Sequence, residues 1–120
     1  MEPLVYFQRY SSMDAKWHRD YYARTKETRI ELKRADQKRQ RTRNRLFIFE
    51  YLASHACVDC GEKDPIVLDF DHLHSKIKDV SDMSSSGWSI RKIQEEIDKC
   101  EVRCSNCHRR ITHKRRLGVA

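Results

Sequence analysis

Four cysteines in two Cys-X2-Cys pairs, CVDCG (Cys57, Cys60, then Gly61) and CSNC (Cys104, Cys107), are the first residues whose types and spacing can do chemistry. A two-residue spacer curls so that both thiolates face one point, and a following glycine can take the positive φ that such a turn needs. Two pairs complete a tetrahedral four-thiolate zinc site. Its coordination is closed, so the ion would be structural, tying the start of a domain to its last helix. Two disulfides or a redox CxxC are the rival readings. The chain has five cysteines, an odd number, and a redox motif does not ordinarily come twice, so zinc is the expectation. Cys100 stands four residues before Cys104, a poorer knuckle, and reads as a small buried hydrophobe.

DFDHLH, residues 69–74, is the second such group. A buried Asp71 beside His72 and His74 is costly without a partner, and a hard divalent cation is the obvious one. Carboxylate plus imidazole, with other positions left to water and phosphate, is how a catalytic Mg2+ or Mn2+ is held. An Asp-His dipeptide alone is a weak signal. His108 strengthens it, because it follows Cys107 directly and the zinc that fixes the strand of Asp71 would fix His108 opposite. Asp69 alternates with Asp71 and shares its strand face, tuning the site or merely facing water. His74 and His113 also fit as surface imidazoles, His55 as a packing or solvent residue, and Trp17 and Trp88 as core or docking residues rather than base-stacking platforms.

These groups need elements to position them. Between Leu4 and Cys60 there is no proline or glycine, and good helix formers dominate from Met13, which predicts one or two long helices up to about Ser54 with Ser12 as N-cap. A thin stripe of Trp17, Tyr21, Thr28, Leu32, Ala35, Thr42, Leu46 and Phe49 has helical spacing. PIVLDF (65–70) predicts a short strand and KIKDVSD its returning partner, followed by SDMSSSGWS as a polar loop. Ile90, Ile93 and Ile97 predict a helix capped by Ser89, and a last helix starts within CSNCHRRITHKRR. The domain division expected is a basic helical extension over 1–45 and a zinc-bound α+β domain over 46–120.

Hydrophobic residues are only 38% of the chain, a core poor enough to need such a staple. The N-terminus MEPLVYFQRY is charged and lacks a signal-peptide apolar run, and no stretch approaches a membrane span; the expectation is a cytoplasmic protein with reduced thiols and no membrane partner. Net charge is +7, unevenly spread. From Lys16 to Arg45 twelve Lys or Arg face four acids, a local +8 that leaves −1 for the rest. A basic block beside a near-neutral domain points to nucleic acid, through residues such as Arg39, Arg41 and Arg43, although a solvated helix face or a disordered tail has the same composition. Arg109, Arg110, Lys114, Arg115 and Arg116 add a second basic cluster beside the proposed metal. Phosphate contacts give affinity without sequence information.

CVDCG, LDFDHLH and CSNCHRR in this order resemble the HNH endonucleases, whose ββα-metal fold sets two strands and a helix around one catalytic metal. The likeness covers Cys57 to about His113, and DHLH is similar to the active-site string of phage Holliday-junction resolvases in the same superfamily. Members commonly carry an asparagine some nine residues before the final histidine. Lys99 stands there, and Asn106 is the nearby candidate for the same loop-bracing role. The resemblance implies that Asp71 and His108 bind the divalent ion, that His72 is the general base, and that His74 steadies the phosphate or a metal-bound water. It further implies cleavage of DNA, expected to be double-stranded, to 5′-phosphate and 3′-hydroxyl ends in a small phage- or bacterial-type protein. Two other readings stay open: a zinc-containing nucleic-acid-binding adaptor without catalysis, and a basic segment that binds protein, such as a second copy or a phage packaging or recombination subunit.

Overall fold

The structure is a computed structural model that describes residues 3–119, with side chains from Asp14 onward. In chain order it has helices α1 (Pro3–Arg24) and α2 (Lys26–Ala53), a 3-10 turn (Pro65–Val67), strand β1 (Leu68–His72), helices α3 (Val80–Ser85) and α4 (Ile90–Ile97), strand β2 (Cys100–Cys104) and helix α5 (Ser105–Leu117). The class is α+β, mostly helical, with one two-stranded sheet among the described residues. The chain divides into two compact units, one up to Asp36 and one from Gln37 onward. No helix among the described residues is long and apolar enough to cross a membrane.

The first unit is helical, as its composition demands. Its helix begins at Pro3, so Ser12 lies inside α1 instead of capping it. Proline is tolerated in the first turn because its missing N–H has no intrahelical partner there in any case. At Thr25 the backbone ladder continues, but the Thr25 hydroxyl also donates to the Tyr21 carbonyl at 2.7 Å, a side-chain competition that loosens a helix locally.

In the second unit, the face of α2 that packs is Asn44, Phe47, Ile48, Tyr51 and Leu52. The stripe expected from the sequence does not pack: Leu32, Leu46 and Phe49 are all more than half exposed. A polar residue holds the central place of the true face. Asn44 is fully buried, donating to the carbonyls of Ser84 (3.2 Å) and Trp88 (2.9 Å) and accepting from Gln40 (2.9 Å). The Ser84 carbonyl also accepts from the Gly87 N–H (3.2 Å) and the Trp88 carbonyl from Gln40 Nε2 (3.4 Å), so Asn44 adds a second bond to each and ties α2 to the end of α3 and the loop after it.

The two strands pair antiparallel, Leu68 with Cys104, Asp71 with Glu101 and His72 with Cys100. The expected partner KIKDVSD is instead a loop that enters α3 at Val80, and the stretch read as a polar loop, 81–89, is helical over 81–85 and loop only from Ser86 to Ser89. The second strand is CEVRC itself, placed after α4. The reason is burial: Val102 and Cys104 face the core, whereas Ile77 is 70% exposed and has no apolar neighbour to pair with. Helix α3 is too short to stand on propensity, and it is held by burying Val80 and Met83 against Ile93 and Ile97 of α4. Helix α4 is capped by Ser89, which accepts from the Lys92 N–H at 3.3 Å. Cys100 is half-buried at the edge of this cluster, with its thiol on the Glu96 carbonyl.

Candidate metal centre and active site

The sulfurs of Cys57, Cys60, Cys104 and Cys107 all lie within 4.8 Å of one another, and no disulfide joins them. Cys60 Sγ and Cys104 Sγ are 3.6 Å apart, close to the roughly 3.8 Å edge of a tetrahedron with 2.3 Å zinc–sulfur bonds. Local geometry builds each pair. The Gly61 N–H closes the first knuckle on the Cys57 carbonyl at 2.9 Å, with Gly61 at φ 77°. The Val58 N–H bonds the Val102 carbonyl at 3.0 Å, which seats that knuckle on β2. Cys104 ends β2 and caps α5, its sulfur accepting from the Cys107 N–H at 3.4 Å. Burial pushes the Cys57 thiol up, but backbone N–H groups around it outweigh that and bring it down to about 6. The hydrogen bond to the Cys104 sulfur, then burial, pushes Cys107 up to about 12. Four sulfurs this close cannot all carry charge unaided, and a metal such as zinc, which takes four thiolates, fits the donor set.

Across the sheet, β1 turns Asp69 and Asp71 to one face, where α5 brings His108. The His108 ring lies between them, Nδ1 3.5 Å from Asp69 and Nε2 3.5 Å from Asp71. Asp71 is nearly inaccessible and carries two guanidinium partners. Arg103 reaches its Oδ2 at 2.5 Å, and Arg115 grips both oxygens, at 2.9 and 3.0 Å. Burial pushes the Asp71 carboxyl up, and the Arg115 hydrogen bond and charge, helped by His108 and Arg103, overcome it and hold the group below its ordinary value. Carboxylate and imidazole are donors that suit a divalent cation. Both Asp71 oxygens are taken by arginines, and the Arg115 side chain is 40% exposed.

His72, at the end of β1, is partnered from α4. Its Nε2 is 3.0 Å from a carboxylate oxygen of Glu96, which is 1% exposed on α4 and also accepts from the Ile77 N–H (2.9 Å) and Lys99 Nζ (3.0 Å). Burial pushes the Glu96 carboxyl up, but the Ile77 N–H and Lys99 more than offset this, so it sits below its ordinary value and is ionised at neutral pH. An ionised carboxylate only accepts, so His72 Nε2 donates to it. Lys99 Nζ also holds the Ser75 carbonyl at 3.0 Å, in a loop where Ser75 sits at φ 48°. Bracing of this loop thus falls to Lys99. Asn106 is exposed and makes no side-chain hydrogen bond.

His74 is exposed in the bend after β1. On α5, Arg109, Arg110 and Lys114 are exposed, whereas Arg115 turns back to Asp71. On α2, Arg43 is exposed and Arg41 is half-buried. His55 stacks on Tyr51 with ring centroids 4.0 Å apart, Trp88 packs against the α3–α4 cluster, and Trp17 is exposed. Sequence reading missed Glu96, Arg103 and Asn44. Glu96 had a signal: it falls between Ile93 and Ile97 on the face that α4 buries, an acid where an apolar residue is expected. Arg103, which joins Asp59 (2.8 Å), Asp71 and Glu101 (2.6 Å), had none, because its partners come from three segments. The chain matches no protein-family model, no curated protein and no solved structure.

Proposed function

We propose that the protein is a metal-dependent DNA endonuclease of the HNH type, built on a four-cysteine structural zinc. The supporting observation is the approach of His108 Nε2 to 3.5 Å from Asp71 at the sheet–helix junction, with His72, the next residue of β1, bonded to a buried carboxylate. Asp71 and His108 would hold a Mg2+ or Mn2+ ion, which would supply charge neutralisation at the phosphate and the departing 3′ oxygen. His72 Nδ1 takes the proton from the attacking water, and Glu96 stabilises the imidazolium that results. Breakage of the P–O3′ bond leaves 5′-phosphate and 3′-hydroxyl ends. His74, in the same loop, steadies the phosphate. The basic residues Arg39, Arg41, Arg43, Arg109, Arg110 and Lys114 contribute sequence-independent phosphate contacts.

The arginine pairs on Asp71 favour a second reading. A carboxylate already neutralised by Arg103 and Arg115 also suits a purely structural hub, in a zinc module that binds nucleic acid without cutting it. Supercoiled plasmid incubated with zinc-loaded protein and Mg2+ or Mn2+ separates the two. The nuclease nicks, and His72→Ala loses nicking by about 100-fold or more with zinc content unchanged. Equal nicking by the variant would remove His72 from the mechanism, and no nicking by either protein would leave the binding module.

A further inference from the structure

A cavity of about 620 Å³ in the second unit opens between α2, β1 and α3, with both His72 and His108 in its wall. Its volume lies within the range of sites that take whole small molecules. Ile48, Leu52, Leu68 and Phe70 make the wall largely apolar. Gripping the backbone of a duplex requires only surface phosphate contacts, so such a hollow is superfluous for a fully paired substrate. Phe49, half exposed, and Arg41 and Arg45, one helical turn apart on the same side of α2, also line it. An exposed aromatic ring beside two guanidinium groups suits a base together with its flanking phosphates.

Resting on the nucleic-acid reading above, we infer that this cavity receives an unpaired nucleotide next to the scissile phosphate, stacked on Phe49 with its phosphates on Arg41 and Arg45. The substrate class is therefore DNA with an unstacked base, in a bulge, a branch or a single strand. Extracting a base from perfect duplex costs unpairing energy that these substrates do not require.

The test measures binding of two otherwise identical labelled duplexes, one with a single-nucleotide bulge, by zinc-loaded protein without Mg2+ or Mn2+ and at fixed salt. The bulged duplex is expected to bind about ten-fold tighter, as one stacked base allows. Phe49→Ala and Ser81→Trp, which plugs the cavity from an exposed lining position, should each bring the ratio close to one while leaving duplex affinity and thermal melting unchanged. Equal affinity of wild type for the two duplexes overturns the inference, as does a preference that survives both variants. The outcome is separable from the nuclease reading, because binding is read without cleavage and plasmid nicking without a bulge.

Discussion

On the proposed reading Arg115 and a divalent ion compete for the same carboxylate, so replacing Arg115 by Gln should tighten metal binding. In the folded chain Arg115 spans both oxygens of Asp71, at 2.9 and 3.0 Å. Charge-assisted bonds of this kind contribute about 1.5–3 kcal/mol each when shielded. The Arg115 side chain is 40% exposed, and solvent screening reduces the pair to about 1–2 kcal/mol together. A tenfold change corresponds to about 1.4 kcal/mol, so the variant should bind Mn2+ about 5- to 30-fold more tightly. Arg103 remains on Asp71 at 2.5 Å and keeps the carboxylate in place, which limits the loss of structure. Without Arg115 the Asp71 carboxyl rises toward its ordinary value, still far below pH 7, so proton competition does not offset the gain. Calorimetric titration of Mn2+ into zinc-loaded protein, with no nucleic acid present, reads the effect directly. Mn2+ affinity unchanged or weakened in the variant would refute the shared-carboxylate geometry and with it the metal role of Asp71.

Other outcomes follow from the same contacts. Glu96→Gln should lower nicking by about ten-fold or more, because His72 loses the carboxylate that orients its ring. The same variant bears on acid stability. The folded Glu96 carboxyl sits below its unfolded value near 4.5, so it adds stability above that pH and loses it as pH falls through the folded value. Wild type should therefore lose stability on acidification below about pH 4.5 more steeply than Glu96→Gln, as denaturant titrations at several pH values would reveal. Asn44→Ala removes two buried hydrogen bonds and should cost about 1–3 kcal/mol, seen as a lower denaturation midpoint with an unchanged slope. Cys104→Ser should abolish stoichiometric zinc, measured by elemental analysis, while Cys100→Ala should retain it.

Legibility differed by residue and for physical reasons. The Cys-X2-Cys pairs were readable because ligand chemistry dictates spacing within each pair, and the structure gathers all four sulfurs. The α4 isoleucines and their serine cap were readable because periodicity and capping act locally. The second strand was not. CEVRC resembles a competing knuckle, and its strand character comes from pairing with Leu68–His72, residues about thirty positions away. Helix α3 was hidden by its serines, since its stability derives from Val80 and Met83 meeting α4. The packing face of α2 was missed because Gln40 and Asn44 occupy places where an apolar pattern looks for leucine. The charge on α2 was plain from composition, but the turning of Arg41 and Arg45 toward a hollow required coordinates.

The pairing of His72 with Cys100 closes the excursion 73–99 at its base. Its near end is tied down by Lys99 on the Ser75 carbonyl and by Glu96 on the Ile77 N–H. The segment from Val102 to Cys107 is tighter still. Cys104 is at once the last rung of the ladder, the first turn's cap and a sulfur donor, and a single inserted residue there would rotate His108 away from Asp71 and open the thiolate cluster together.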